Sequence, residues 1–238
     1  MRAIRTLAVI GGLVKTLLLW DIDGTLIQSG GAGERALIAS LQQEFGVIGT
    51  LEDIELAGRT DRWIARKILA RFSLPHDSVN IDRYLEGYLS ALPRELRNPE
   101  ARTLPGVREL LGAVAANPSM AQGLLTGNLK RGAEIKLRHH ELWEHFSFGA
   151  FADDAENRNE LGPHAVRRAN DHHSVTFAAD RVFIIGDTPH DIACGKAIGA
   201  QTIGVATGST TVEQLLACGA TAVFPNLADT AAVLKVIS

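Results

Sequence analysis

The feature that most restricts this chain is an apolar run over residues 15 to 20 that stops abruptly at Asp21-Ile22-Asp23-Gly24-Thr25. A carboxylate at the end of a buried strand, with a second two residues later, is a poor way to build a core, because buried carboxylates need partners. Side chains alternate in direction along a strand, so this spacing holds two oxygens at a loop where a cation and an anion can meet. It reads as a site.

Two further apolar runs end the same way. Gly123-Leu124-Leu125 stops at Thr126-Gly127-Asn128, and Val182-Phe183-Ile184-Ile185 stops at Gly186-Asp187-Thr188-Pro189-His190-Asp191. In an open α/β sheet, ligands bind beyond the carboxyl ends of parallel strands, so polar residues at three such ends converge on one pocket. Each alone also reads as a helix N-cap, which favours Asp and Thr. Capping does not call for a second carboxylate two positions after Asp21 or four after Asp187.

Between the first two strand signals lie roughly a hundred residues, too many for one crossover. Helical periodicity over Ala32 to Phe45, Thr60 to Phe72 and Asp82 to Arg97 makes this an insertion, a small helical cap over residues 30–102, with residues 1–29 and 103–238 forming the core. The run Ser29-Gly30-Gly31-Ala32-Gly33 and the polar segment Arg97 to Arg102 read as a flexible pair of linkers suited to a hinge. Downstream, Pro105-Gly106 starts a helix. Helices at Lys130 to His139, Gly162 to Asn170 and Asp191 to Ile198 then alternate with strands at Phe148 to Phe151, Arg181 to Ile185, Thr202 to Val205 and Ala222 to Phe224, the last two each followed by an amphipathic helix. This rhythm predicts a doubly wound α/β fold, a parallel sheet covered on both faces.

At 238 residues and 46% hydrophobic, the chain can bury a sizeable core, and its net charge of -3 gives no basic footprint for nucleic acid. Cys194 and Cys218 form neither a CxxC pair nor a disulfide framework, which points to small core residues in a reducing, cytoplasmic compartment. Arg2 and Arg5 followed by Leu7 to Val14 superficially resemble a signal peptide, yet that stretch runs straight into the strand carrying Asp21, and cleavage would remove scaffold. No stretch reaches the ~18 uninterrupted apolar residues of a membrane span. Residues 1–13 are expected to be dispensable, reflecting an upstream start codon.

The DxDGT sequence at Asp21 to Thr25, the threonine at 126 after an apolar strand and the GDxxxD sequence at Gly186 to Asp191 resemble the haloacid dehalogenase superfamily of phosphohydrolases, over nearly the whole chain from about Lys15. Within that superfamily the chain is similar to phosphoglycolate phosphatases and β-phosphoglucomutases with a helical cap. The resemblance implies a Rossmann-like core and an Mg2+-dependent aspartyl-phosphate mechanism. Asp21 would be the nucleophile, and Mg2+ would be held by Asp21, the backbone carbonyl of Asp23 and Asp187. Asp23 would protonate the leaving oxygen and then activate water. Related dehalogenases displace halide, which needs no proton, and generally lack this second aspartate, so its presence argues for phosphoryl chemistry.

Thr126 would donate to a phosphoryl oxygen with the amides of Gly127 and Asn128 at a helix N-terminus. Asp191 would steer the metal ligands or a cation, or else complement the dipole at a helix start. Related caps commonly carry a lysine before the helix that precedes the GDxxxD strand. No lysine lies between Lys136 and Lys196, and Arg158 is the cation in the right place, able to bridge a phosphoryl group and a carboxylate. Arg59, at a helix start in the cap, either reaches the substrate or is an exposed loop charge. The histidines and Trp63 and Trp143 read as surface and packing residues.

The expected function is a phosphatase acting on a small phosphorylated metabolite. A phosphosugar mutase would use the same residues. A phosphonate hydrolase would need a Schiff-base lysine in the cap, where Lys67 lies on an amphipathic helix. A phosphorylation-switched receiver module would need neither the insertion nor this length.

Overall fold

The computed structural model describes residues 15–238, and the expectation for residues 1–13 lies outside them. The first strand, β1 (Thr16–Trp20), is buried along its whole length. Leu18 and Trp20 join the apolar cluster on one face of the sheet, and Leu17 and Leu19 join that on the other. A strand covered on both faces has no polar side to show, which is why Leu17 to Trp20 are apolar without a break.

In chain order follow β2 (Ile27–Gln28), α1 (Ala32–Phe45), α2 (Asp61–Arg71), α3 (Ser78–Glu95), β3 (Arg102–Thr103), α4 (Val107–Ala115), β4 (Met120–Leu125), α5 (Lys130–His139) and β5 (Gly149–Ala150). Then come α6 (Leu161–His173), β6 (Val182–Gly186), α7 (Pro189–Ala197), β7 (Gln201–Val205), α8 (Val212–Ala217), β8 (Ala222–Phe224) and α9 (Thr230–Ile237). Six strands make a parallel sheet in the order β5-β4-β1-β6-β7-β8. Helices α4, α5 and α9 cover one face through Leu110, Leu111, Leu137 and Val233, and α6 and α7 cover the other through Ala165, Ala169 and Cys194.

The strand order reverses at β1, which has β4 on one side and β6 on the other. Such a reversal opens a crevice at the carboxyl ends, because the connections leave toward opposite faces. Trp20 pairs with Leu124 of β4 and with Ile185 of β6, so Asp21, Thr126 and Asp187 emerge within one residue of the same level. The register alone therefore brings together the three strand ends singled out in the sequence.

Helices α1 to α3 lie between β2 and β3, which pair antiparallel with Ile27 opposite Thr103 and Gln28 opposite Arg102. They share an apolar cluster that includes Leu41, Ile68, Tyr84 and Leu92. The Tyr84 hydroxyl donates to the Leu37 carbonyl at 2.8 Å, locking α3 onto α1. Helix α3 starts four residues before its periodicity suggests, with Asp77 accepting from the amide of Asn80. Val79 in that first turn is 73% exposed and falls outside the apolar stripe, which hides the start.

The two linkers expected to be flexible are hydrogen-bonded to each other and to α3. The Asn98 amide group donates to Ser29 O (3.1 Å) and Glu95 O (2.8 Å), and its oxygen accepts from the amides of Glu100 (3.0 Å) and Ala101 (3.1 Å). Arg35 adds a bond to Gly30 O at 2.7 Å and an ion pair with Glu95 at 3.0 Å. Polar side chains that look like a solvated loop here satisfy linker backbone groups, and strands of two residues are too short to show a period. Asn98→Ala is expected to lower stability by about 1–3 kcal/mol, read as a reduced denaturant midpoint, with amides 98–101 losing protection from hydrogen exchange. An unchanged midpoint would show that the linkers are not fastened by this side chain.

Candidate active site

Asp21 leaves β1 still tied to the sheet, its amide donating to Ile185 O at 2.9 Å. The chain then folds back sharply, with the amides of Leu26 and Ile27 both donating to Ile22 O and Gly24 donating to Ile27 O. Gly24 has φ 78°, and a side chain there would run into the Asp187 carboxylate. Gly208 presses on the same carboxylate, and the Thr207 hydroxyl beside it donates to Gly24 O. Two backbones therefore close on Asp187 only because both positions lack a Cβ. Sequence reasoning missed Thr207 and Gly208; their signal was the small polar run following β7.

Oxygens of Asp21, Asp187 and Asp191 lie within 4.8 Å of one another, all three residues being buried. One cation faces them. Arg158, in a short helical turn before α6, has Nη2 3.0 Å from Asp21 Oδ1 and pairs with Asp191 Oδ1 as well. Its Nη1 donates to Gly58 O at 3.1 Å, while its buried Nε has no partner among the described residues. One guanidinium cannot balance three carboxylates. Burial pushes the Asp21 carboxyl up to about 6 against the pull of Arg158, with Asp191 and Asp23 adding repulsion. Burial, Asp191 and Asp21 push Asp187 up to about 8, Arg158 again opposing.

Both oxygens of Asp191 are engaged. Oδ2 accepts from the amide (3.0 Å) and hydroxyl (2.7 Å) of Thr188 in a capping box that starts α7, and Oδ1 faces Arg158. An all-oxygen donor set with surplus negative charge is what a hard divalent cation requires, and the carboxylates of Asp21, Asp187 and Asp191 could hold one.

A second polar group forms around Asp23. Its Oδ2 accepts from Lys136 Nζ at 2.6 Å and from Asn128 Nδ2 at 2.9 Å. Lys136 Nζ also donates to Asn128 Oδ1 at 2.6 Å, and Asn128 Nδ2 reaches Thr126 Oγ1 at 2.8 Å. Sequence reasoning does not single out Lys136, because it seeks a site lysine only beyond that position. The available signal is a lysine on the buried stripe of α5, beside Gly132, Ala133 and Leu137.

Helix α5 begins at Lys130, as expected, so the amides of Gly127 and Asn128 precede it rather than belong to its first turn. Its first amides are taken instead by side chains from elsewhere, Leu129 N by Asp61 Oδ2 (2.7 Å) and Lys130 N by Asp153 Oδ2 (2.6 Å). Asn128 N points to Thr126 Oγ1 at 3.3 Å. Thr126 is fully buried behind the cavity wall, whereas Gly127 and Asn128 line it.

The cavity, about 260 Å3, is floored by Asp21, Asp23, Asp187, Lys136 and Arg158 and roofed by Leu37, Ile64 and Tyr88 of α1 to α3. Arg59 reaches its wall, stacked 4.4 Å from the Trp63 ring, but its charge is shared with Glu55 Oε2 at 2.6 and 2.8 Å. Glu55 Oε1 lies 3.0 Å from His190 Nε2, joining the insertion to α7. Arg59 is thus half-buried and ion-paired where it lines the cavity.

A family model described as haloacid dehalogenase-like hydrolase matches residues 18–196. The chain is 27% identical over 210 residues to "Probable phosphatase IndB" of Dickeya dadantii (strain 3937), which covers 86% of each chain. A hydrolase from Pseudomonas syringae superposes with a TM-score of 0.70 at 20% identity, covering 94% of this chain and 100% of its own. A predicted phosphoglycolate phosphatase from Haemophilus somnus 129pt does so at 0.70 and 16%, covering 94% and 98%. At these identities the two structures show the shared fold.

The raised carboxyls fix a sign for pH dependence. Their folded values lie above the unfolded ones, so in metal-free protein their contribution to stability is complete below the unfolded carboxylate range and is lost as pH rises through about 6 and then about 8. A cation competes with those protons. The rise in melting temperature caused by Mg2+ over a chelator control is therefore expected to be larger at about pH 8.5 than at about pH 5.5. An equal increment at both would show that these carboxyls do not meet the cation.

Proposed function

The chain belongs to the haloacid dehalogenase-like hydrolases, and from that membership we propose that it is an Mg2+-dependent phosphatase of a small phosphorylated metabolite, working through an aspartyl-phosphate. The observation that carries this reading is the crowding of Asp21, Asp187 and Asp191 around one guanidinium at the switch point of the sheet. On this reading residues 30–102 form a cap over a core made of the rest, and the roof they give the cavity sets substrate choice.

Mg2+, held by Asp21, Asp187 and the backbone carbonyl of Asp23, would neutralise the phosphoryl oxygens so that a carboxylate can approach them. Asp21 attacks phosphorus as the ester P–O bond breaks, and the leaving alkoxide takes a proton from Asp23. Asp23, now ionised, removes a proton from water, which attacks the phosphorus of the aspartyl-phosphate and restores Asp21. Arg158 orients Asp21, and its buried Nε, without a partner among the described residues, is a donor suited to a phosphoryl oxygen. Thr126 Oγ1 already accepts from Asn128 twice, so its own proton remains free to donate. Asp191 pairs with the same Nη2 of Arg158 and helps to hold it.

The test is a phosphometabolite panel run on wild type and Asp21→Asn, each with Mg2+ and with chelator. Wild type is expected to turn over phosphate monoesters repeatedly and only with the cation, and Asp21→Asn to lose at least about 1,000-fold in turnover while keeping its melting temperature. Turnover that survives in Asp21→Asn would overturn the nucleophile. Strict dependence on an added bisphosphate would move the reading to a mutase. Separately, Arg158→Ala is expected to cost about 100-fold or more in kcat/KM, and full turnover by that variant would remove the arginine from the reaction.

A further inference from the structure

Lys136 is a charge the mechanism above does not use. Its side chain is 5% exposed, and an ammonium group taken out of water needs specific partners to stay there. It is 2.6 Å from Asp23 Oδ2 and 2.6 Å from Asn128 Oδ1, and it is not paired with Asp21 or Asp191, the two carboxylates that Arg158 meets. Burial opposes its charge, but Asp23, Tyr88 and Asp61 together raise its pKa above the ordinary lysine value. Two of these neighbours belong to the inserted helices, Asp61 to α2 and Tyr88 to α3.

The geometry at Asp23 is lopsided. Both donors, Lys136 Nζ and Asn128 Nδ2, converge on Oδ2. Oδ1 accepts no hydrogen bond among the described residues, on a side chain that is 38% exposed and lines the cavity. Two donors on one oxygen stop a carboxylate from spinning about its last bond and present the other oxygen in a fixed direction. Asn128 is in turn fixed by Thr126, so the arrangement is braced at each step.

We propose that Lys136 is a positioning residue which clamps one oxygen of Asp23 and thereby aims the other at the leaving group. The inference rests on the phosphatase reading and adds to it a residue on a helix that carries none of the sequence motifs. A purely structural ion pair, tying α5 to the loop after β1, would have the same distances. The two differ in what happens when the leaving group needs no proton.

The experiment compares kcat/KM, which reports the step that expels the leaving group, for two esters on Mg2+-loaded enzyme. One is the alkyl phosphate turned over fastest in the panel, whose alkoxide must be protonated. The other is 4-nitrophenyl phosphate, whose phenolate leaves unaided. Lys136→Met is expected to lower kcat/KM for the alkyl ester by about 100-fold and for the aryl ester by less than about 5-fold, with Lys136→Gln, which keeps a donor, falling between. In an Asp23→Asn background, Lys136→Met is expected to add less than about twofold, because the group it positions is already gone.

Equal losses on both esters, or losses that add in the Asp23→Asn background, overturn the proposal. Should Lys136→Met fail to fold, Lys136→Gln and its combination with Asp23→Asn decide the same question. A wild type that turns over neither ester refutes the phosphatase reading itself. A wild type active on both, with variants that do not discriminate between them, refutes only the role of Lys136.

Discussion

Three buried carboxylates gathered around one guanidinium form an arrangement that the protein alone leaves unbalanced. Each costs free energy to desolvate, and Arg158 cannot compensate all of them. The imbalance is relieved by holding protons on Asp21 and Asp187 or by admitting a cation. A core assembled for stability alone would replace such a cluster with apolar residues of similar volume. Its persistence at the reversal point of a parallel sheet is therefore the strongest physical argument for a site, and the surrounding structure can be understood as what holds it there.

That support begins with register. β1 is locked between β4 and β6, so the residues following each strand have little freedom in height. The turn after Asp21 then needs Gly24 in a left-handed conformation, and Gly208 must lack a side chain for Asp187 to fit between the two backbones. Arg158 is fixed through its own carbonyl, which accepts from Cys194 Sγ at 3.3 Å, and through Gly58 O. Cys194 thus acts as a core residue that also steadies the arginine, and burial pushes its thiol up to about 11, away from reactivity.

Much of this was legible in the sequence because strand ends are sharp signals. Apolar runs that stop at Asp21, Thr126 and Asp187 report position along the chain and position in space together, since parallel strands align their ends. The helices of the insertion were legible for a similar reason, an apolar stripe at a period of 3.6. What escaped depended on contacts between distant segments. Lys136 lies 113 residues from Asp23 in sequence, and its place on the buried stripe of α5 says that it is buried without saying which carboxylate it meets. The brace around Asn98 escaped because polar linker side chains look alike whether they face water or backbone. Asp61, at a helix start, was an ordinary first-turn acid until the fold placed it against another helix.

Asp61 also changes how the insertion should be understood. Its carboxylate caps Leu129 N at the start of α5, and its amide donates to Gly127 O at 2.7 Å, so one residue of α2 satisfies both sides of the loop carrying Thr126 and Asn128. Thr60 adds a bond from its hydroxyl to Glu156 O at 2.6 Å, and Arg66 pairs with the Glu156 carboxylate, both just before Arg158. Helix termini leave backbone donors that must find partners, and here the first amides of a core helix find one in the insertion. An insertion that merely hung over the cavity could be lifted without consequence for the polar groups beneath it. This one cannot, because lifting it would uncap α5 and release the loop that orients Asn128. Seating of α2 and alignment of the Asp23 oxygens are therefore parts of the same set of hydrogen bonds.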